Sequence, residues 1–307
     1  MKKILRWLFV IFLLLNVLAA VHAYKFTHYT NDKSAKTDAD QLTTTDKIKV
    51  LFTGVNNPKP LNQPKPLAYK HIVLKGRGDI DCWLLNRDSS KGTVIIFHGF
   101  SGEKSGMVEK AEILHQLGYK VLLADFVGSG ASSGNQVTLG YNEAEDVKIC
   151  TEYITKQGEQ HIYLLGTSMG AAAILRAVRE KYVSPKGIMI ECPFGKMYDA
   201  VAIRFDMMHV PKFPMAHMLM FWGGLENGFW AYNHNPQDYA KAVTCPALLM
   251  FGEKDDRVTR TEIDRVYENL AGKKQLVLFP KSGHESYLIQ HNKQWTAAVG
   301  KFLTENK

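Results

Sequence analysis

The sequence predicts an α/β domain with a mostly parallel central sheet and helices on both faces. Two observations carry this reading. First, Thr93 to Phe97, Val121 to Ala124, Ile162 to Leu165, Gly187 to Ile190 and Ala247 to Phe251 are short, continuous apolar runs. They lack the alternation of a half-exposed strand and read as strands buried on both faces. Second, segments of helical spacing stand between them: Val108 to Leu117, stopped by Gly118, then Ala144 to Ile154 and Ala171 to Val178. Strand, helix, strand, helix is the order that builds parallel sheets through crossover connections.

The flanking elements complete the domain. Ile72 to Leu74 and Ile80 to Leu85 read as two short strands joined by a turn at Gly76 to Gly78. Leu276 to Phe279 reads as the last strand, and a helix from about Ser286 to Phe302 closes the chain. Sheets of this kind place their chemistry beyond the carboxyl ends of the strands, so the candidate residues are sought there.

Composition excludes several other classes. Hydrophobic residues make up 46% of the 307 positions and charged residues 22%, which fits one large globular domain and not a disordered chain. The net charge is +8, but Lys2, Lys3 and Arg6 supply three of those charges. The rest is spread without a basic block, so no nucleic-acid partner is expected. A weak attraction to anionic membrane surfaces is the more natural reading. The cysteines Cys82, Cys150, Cys192 and Cys245 show no C-x-x-C spacing and no accompanying histidine cluster. No metal site is expected, and the cysteines read as free thiols, although an oxidising compartment would allow two disulfides.

The N-terminus is a targeting or anchoring segment. Basic residues lead into the nearly unbroken apolar run Trp7 to Ala23. A cleaved signal peptide and a retained membrane anchor both fit this pattern over residues 1–23. Either way, positive charge before the run holds the N-terminus in the cytoplasm and sends the body to the other side. Residues 24–68 read as a tether, polar and marked by Pro58, Pro60, Pro64 and Pro66, with Thr45-Asp46 capping one short helix. The domain proper is expected over residues 69–307.

The clearest motif is Gly166-Thr167-Ser168-Met169-Gly170, a G-x-S-x-G lying between the strand Ile162 to Leu165 and the helix from Ala171. A strand-to-helix turn this tight leaves no room for bulk beside the central serine. Ser168 then projects at a helix N-terminus, where developing negative charge is favoured. The plain alternative is a serine capping an ordinary helix, which the preceding strand argues against.

With this motif the chain resembles the α/β-hydrolase family, in particular its exported or anchored esterase, lipase and serine-aminopeptidase-like members. The resemblance covers roughly residues 70–305 and implies the α/β-hydrolase fold, with an inserted cap at about 195–240. It also implies a triad. His284, in Ser282-Gly283-His284-Glu285 after the last strand, would be the general base. Gly252 to Val258 resembles the family's G-x-x-D-x-x-V and assigns Asp255 as the acid that orients it, with neighbouring Asp256, Glu253 and the more remote Glu191 as alternatives. The order Ser168, Asp255, His284 is the order the family uses.

The oxyanion of an acyl-transfer intermediate needs two aimed N–H donors. The resemblance assigns them to the backbone of Met169, after the nucleophile, and of Phe100 in His98-Gly99-Phe100-Ser101-Gly102, which is similar to the family's H-G-x-x-G. His98 itself reads as a structural loop residue. Asp125 to Ser132 resembles the family's D-x-x-G-x-G-x-S loop and reads as a structural turn near the site.

Between Glu191 and Ala247 the alternation of elements stops. Six of the eleven methionines, with Phe221, Trp222, Phe229, Trp230 and Tyr232, fall between positions 197 and 232. Methionine and aromatic side chains make adaptable apolar surfaces, which suit either a pocket for an acyl group or simple packing. The expectation is a cofactor-independent serine hydrolase acting on a small, apolar acyl substrate. A peptidase, an acyltransferase or a non-catalytic binding module on the same fold are the alternatives.

Overall fold

The computed structural model describes residues 1–31, 36–37, 42–66 and 68–307. The chain divides into two compact units, Met1–Pro58 with Lys196–His234, and Lys59–Gly195 with Asn235–Lys307.

The larger unit carries the sheet. Its strands are β1 (Tyr69–Lys75), β2 (Asp79–Leu85), β3 (Thr93–Phe97), β4 (Lys120–Ala124), β5 (Ile162–Thr167), β6 (Gly187–Glu191), β7 (Ala247–Gly252) and β8 (Lys274–Phe279). The spatial order is β1-β2-β4-β3-β5-β6-β7-β8. β1 and β2 pair antiparallel, as do β2 and β4, and every later pairing is parallel. The parallel strands β3, β6 and β7 are buried along their whole length, as their unbroken apolar runs require. This is the α/β-hydrolase fold that the motifs implied.

The helices of this unit are α3 (Val108–Gln116), α4 (Glu143–Lys156) and α5 (Met169–Arg179), then α8 (Pro236–Tyr239), α9 (Arg260–Asn269), α10 (Tyr287–Gln290) and α11 (Asn292–Glu305). Successive strand residues point to opposite faces. Ile96, Leu165 and Met250 join one core cluster with Ala111 and Leu114 of α3 and Trp295, Val299 and Phe302 of α11. The intervening residues Ile95, Leu164 and Leu249 are equally buried, on the side where α4 and α5 pack. α5 is rich in alanine, a strong helix former, and its small side chains let backbone approach closely. A Cβ at Gly140 would lie 2.8 Å from the Ala173 nitrogen.

In the smaller unit, the helices are α1 (Lys2–Thr27) and α2 (Thr44–Thr53), followed by α6 (Met197–Met207) and α7 (Met215–Glu226) from the segment between β6 and β7. α1 continues past Ala23 to Thr27. α2 is capped by Thr43, one residue outside the helix, and not by Thr45. Asp46 returns the bond to the Thr43 backbone. Part of the tether expected over residues 24–68 lies outside the described residues. α1 packs on α7: Ala19 and Ala23 are buried, a Cβ at Gly223 would sit 3.8 Å from that of Ala23, and Trp222 Nε1 donates to Asn16 Oδ1 at 3.1 Å.

The four cysteines are free thiols.

Candidate active site

Ser168 stands between β5 and α5 with φ 52° and ψ −109°. A side chain rarely occupies this region of backbone space, and strain of this kind gathers at functional sites. The surrounding glycines explain how the turn is made. A Cβ at Gly166 would fall 2.6 Å from the carbonyl carbon and oxygen of Gly170, and one at Gly170 would fall 2.5 Å from the Phe97 carbonyl oxygen. Both positions therefore admit hydrogen alone.

His284 and Asp255 are brought to the same place from the loops after β8 and β7. The imidazole Nε2 lies 3.1 Å from Ser168 Oγ, and Nδ1 lies 2.8 Å from Asp255 Oδ2. The other carboxylate oxygen, Oδ1, accepts from the backbone N–H groups of Arg257 at 2.8 Å and Val258 at 2.9 Å. The Asp255 side chain is fully buried and that of His284 nearly so. Burial opposes protonation of the imidazole, but the sulfur of Cys192 and the carboxylate of Asp255 outweigh it. Together they raise the His284 pKa from its ordinary value to about 10.

None of the three alternative acids pairs with the histidine, and Glu253 is half-exposed beside Arg260. The Asp256 side chain is 60% exposed and faces Arg257. Glu191, at the carboxyl end of β6, is buried in a network of its own. It accepts from Thr167 Oγ1 at 2.6 Å and from Trp295 Nε1 at 2.8 Å, and it pairs with the buried ammonium of Lys110. This carboxylate ties α3, β5 and α11 together directly behind the turn that carries Ser168.

The two sequence-assigned oxyanion donors, Met169 and Phe100, lie at the start of α5 and in the loop after β3. Met169 is the first residue of α5, and the first amides of a helix have no acceptor within it. Gly99, which precedes Phe100, lies against Ser168: a Cβ there would be 3.6 Å from that of the serine. His98 is buried and holds this loop, accepting from the Phe126 N–H at Nε2 (3.2 Å) and, with its proton on Nδ1, donating to the Gly99 carbonyl at 2.8 Å. Burial lowers its pKa, which keeps it neutral. Asp125 is bound by Lys104, the Ala131 N–H and Asn62, so its carboxylate organises the loop.

One residue escaped the sequence reading. Cys192, the residue after β6, was legible only as a lone buried thiol. It has φ 40°, and its sulfur lies within 4.8 Å of the donor atoms of His284 and Asp255. Its place at the carboxyl end of a central strand was the available signal. Among the described residues, Cys192, Asp255 and His284 form the one group with a metal-like donor set, their ligand atoms lying within 4.8 Å of one another. Two of the three are already engaged with each other.

Comparison with known proteins finds several similar chains. Residues 88–222 match the family model described as serine aminopeptidase, S33. An uncharacterized protein of Mycobacterium tuberculosis is 27% identical over 216 residues, 69% of each chain. The lysophosphatidylserine lipase ABHD12 of Gallus gallus is 30% identical over 202 residues, 64% of this chain but only 51% of its own length. Among solved structures, the Pyrococcus furiosus esterase Pf2001 superposes with a TM-score of 0.66 at 21% identity, covering 81% of this chain and 99% of the esterase. The chain thus has the α/β-hydrolase fold and over residues 88–222 is similar to the S33 serine-aminopeptidase family.

Proposed function

We propose that the chain cleaves a carboxylic ester of an apolar acyl group through a covalent acyl-enzyme. The observation that carries this reading is the continuous chain of polar contacts Ser168 Oγ, His284, Asp255, with the serine held on a strained turn. Ser168 attacks the ester carbonyl as His284 Nε2 takes the hydroxyl proton. Asp255, fixed by two backbone amides, keeps Nδ1 protonated and stabilises the imidazolium. The Met169 and Phe100 N–H groups receive the oxyanion. His284 returns the proton to the leaving alcohol, and water, activated by the same imidazole, releases the acid.

The relatives named as lipase and esterase support an apolar or lipid-like substrate. The inserted segment 195–240 is proposed as the cap that selects it. The N-terminal helix is proposed as a membrane anchor that leaves the body on the non-cytoplasmic side. Its 26 residues and strongly apolar character support that reading. The match to a serine-aminopeptidase model favours amide cleavage as a second reading.

Labelling with a fluorophosphonate probe tests the triad. The wild-type chain is expected to label, and Ser168→Ala to lose labelling. A folded wild-type chain that does not label overturns the reading. Paired ester and amide substrates of one acyl group then decide between the two reactions.

A further inference from the structure

We propose that the exposed apolar face of α7, together with Trp230 just beyond it, lies in the same phospholipid leaflet as the adjoining part of α1. The segment between β6 and β7 would thereby dock on the bilayer. This inference rests on the proposed reading of α1 as a membrane helix, and it goes beyond the chemistry at Ser168.

The sequence of α7 is unusual for a surface helix. From Phe213 to Leu225 there is no Lys, Arg, Asp or Glu. Yet Phe213 is 75% exposed, Leu225 60%, Trp230 54% and Phe221 44%. Phe221, Leu225 and Trp230 also line, with Gly224, Gly228 and Phe229, an apolar cleft of about 300 Å³. Contiguous exposed apolar surface of this kind marks an interaction site.

The occupant follows from what α7 is attached to. Its other side packs on α1, whose most apolar stretch is almost wholly exposed within the fold. One point of contact is Asn16, which holds Trp222. From Ile4 to Asn16 a helix rises about 20 Å, at about 1.5 Å per residue. A bilayer's hydrocarbon core is about 30 Å thick. If α1 enters from its basic end, the Asn16–Trp222 contact is reached before α1 has left the hydrocarbon. The partner helix must then meet the outer part of that leaflet. An uncharged helix face with a tryptophan at its edge is the composition that region accepts. The Asn16–Trp222 hydrogen bond is likewise the type of polar link that joins helices in lipid.

The test uses the full chain inserted in vesicles of phosphatidylcholine and phosphatidylglycerol. An environment-sensitive fluorophore is placed on Leu8→Cys, Leu225→Cys or Asp88→Cys, each in a Cys245→Ser background, and quenched with lipids brominated on the acyl chain. Fluorophosphonate labelling in parallel verifies that each variant is folded. The Leu225 probe is expected to be quenched at least threefold more than the Asp88 probe. Quenching at Leu8 with none at Leu225 overturns the docking while the anchor stands. No quenching at either site overturns the anchor and the docking together. Energy transfer between probes on separate chains at Leu225, without lipid quenching, assigns the face to a second copy and also overturns the proposal.

Discussion

The sulfur of Cys192 lies beside the His284 imidazole, on a residue whose backbone is held at φ 40° at the end of β6. The sulfur in this place adds to Asp255 in favouring the protonated imidazole. The base must be neutral to accept the Ser168 proton, so a raised pKa moves the acidic limb of kcat/KM to higher pH. Activity is therefore expected to rise from neutral into alkaline pH. Cys192→Ala should shift that limb to lower pH, as read from a full pH–rate profile. A limb that stays in place shows that the sulfur does not act on the base.

Asp255 and its neighbour separate cleanly. Asp255→Asn should lower kcat by about 10⁴, because the amide cannot hold the imidazole in the productive tautomer. Asp256→Asn, on an exposed side chain, should change it less than about twofold. Steady-state kinetics on one ester measures both. Equal losses would move the acid's role to Asp256.

At Gly170 an added methyl group meets the Phe97 carbonyl, so Gly170→Ala should destabilise by about 3 kcal/mol or more and reduce labelling of Ser168. Gly158→Ala is the control. Its φ is 87° with nothing within 4 Å, so it should cost only the roughly 1 kcal/mol of left-handed backbone. Denaturant melts of the two variants compare them directly.

Glu191→Gln leaves the buried ammonium of Lys110 without its counter-charge. Losing one partner of a buried pair costs about 3–5 kcal/mol, whereas replacing both with apolar groups costs far less. The double variant Glu191→Gln, Lys110→Met should therefore recover much of the stability that Glu191→Gln loses. Thermal melts of both variants show it. A double variant no better than the single one would mean that Thr167 and Trp295 carry the network's value.

The sequence exposed the sheet and the candidate site to different depths. Unbroken apolar runs located the central strands, because a strand buried on both faces has no reason to alternate. Ser168, Asp255 and His284 were legible as positions just after three such strands, and the structure brings them within hydrogen-bond reach. Cys192 was equally placed but carried no motif, and only the fold shows what its sulfur faces. Glu191 looked like a spare acid in sequence, since its partners Lys110, Thr167 and Trp295 are remote along the chain. The cap of α2 was misplaced by two residues because Thr43, Thr44 and Thr45 are chemically alike. The pairing of α1 with α7 left no sequence signal, for both helices are apolar on more than one side and no period marks the shared face.

The wide spacing of Glu191's partners has a consequence for how the protein is made. The serine-bearing turn is held from behind by an indole that is synthesised more than a hundred residues after Glu191. Until Trp295 has been made, Glu191 Oε1 lacks its indole donor. A growing polypeptide thus carries Ser168 for much of its synthesis before this support behind it is complete.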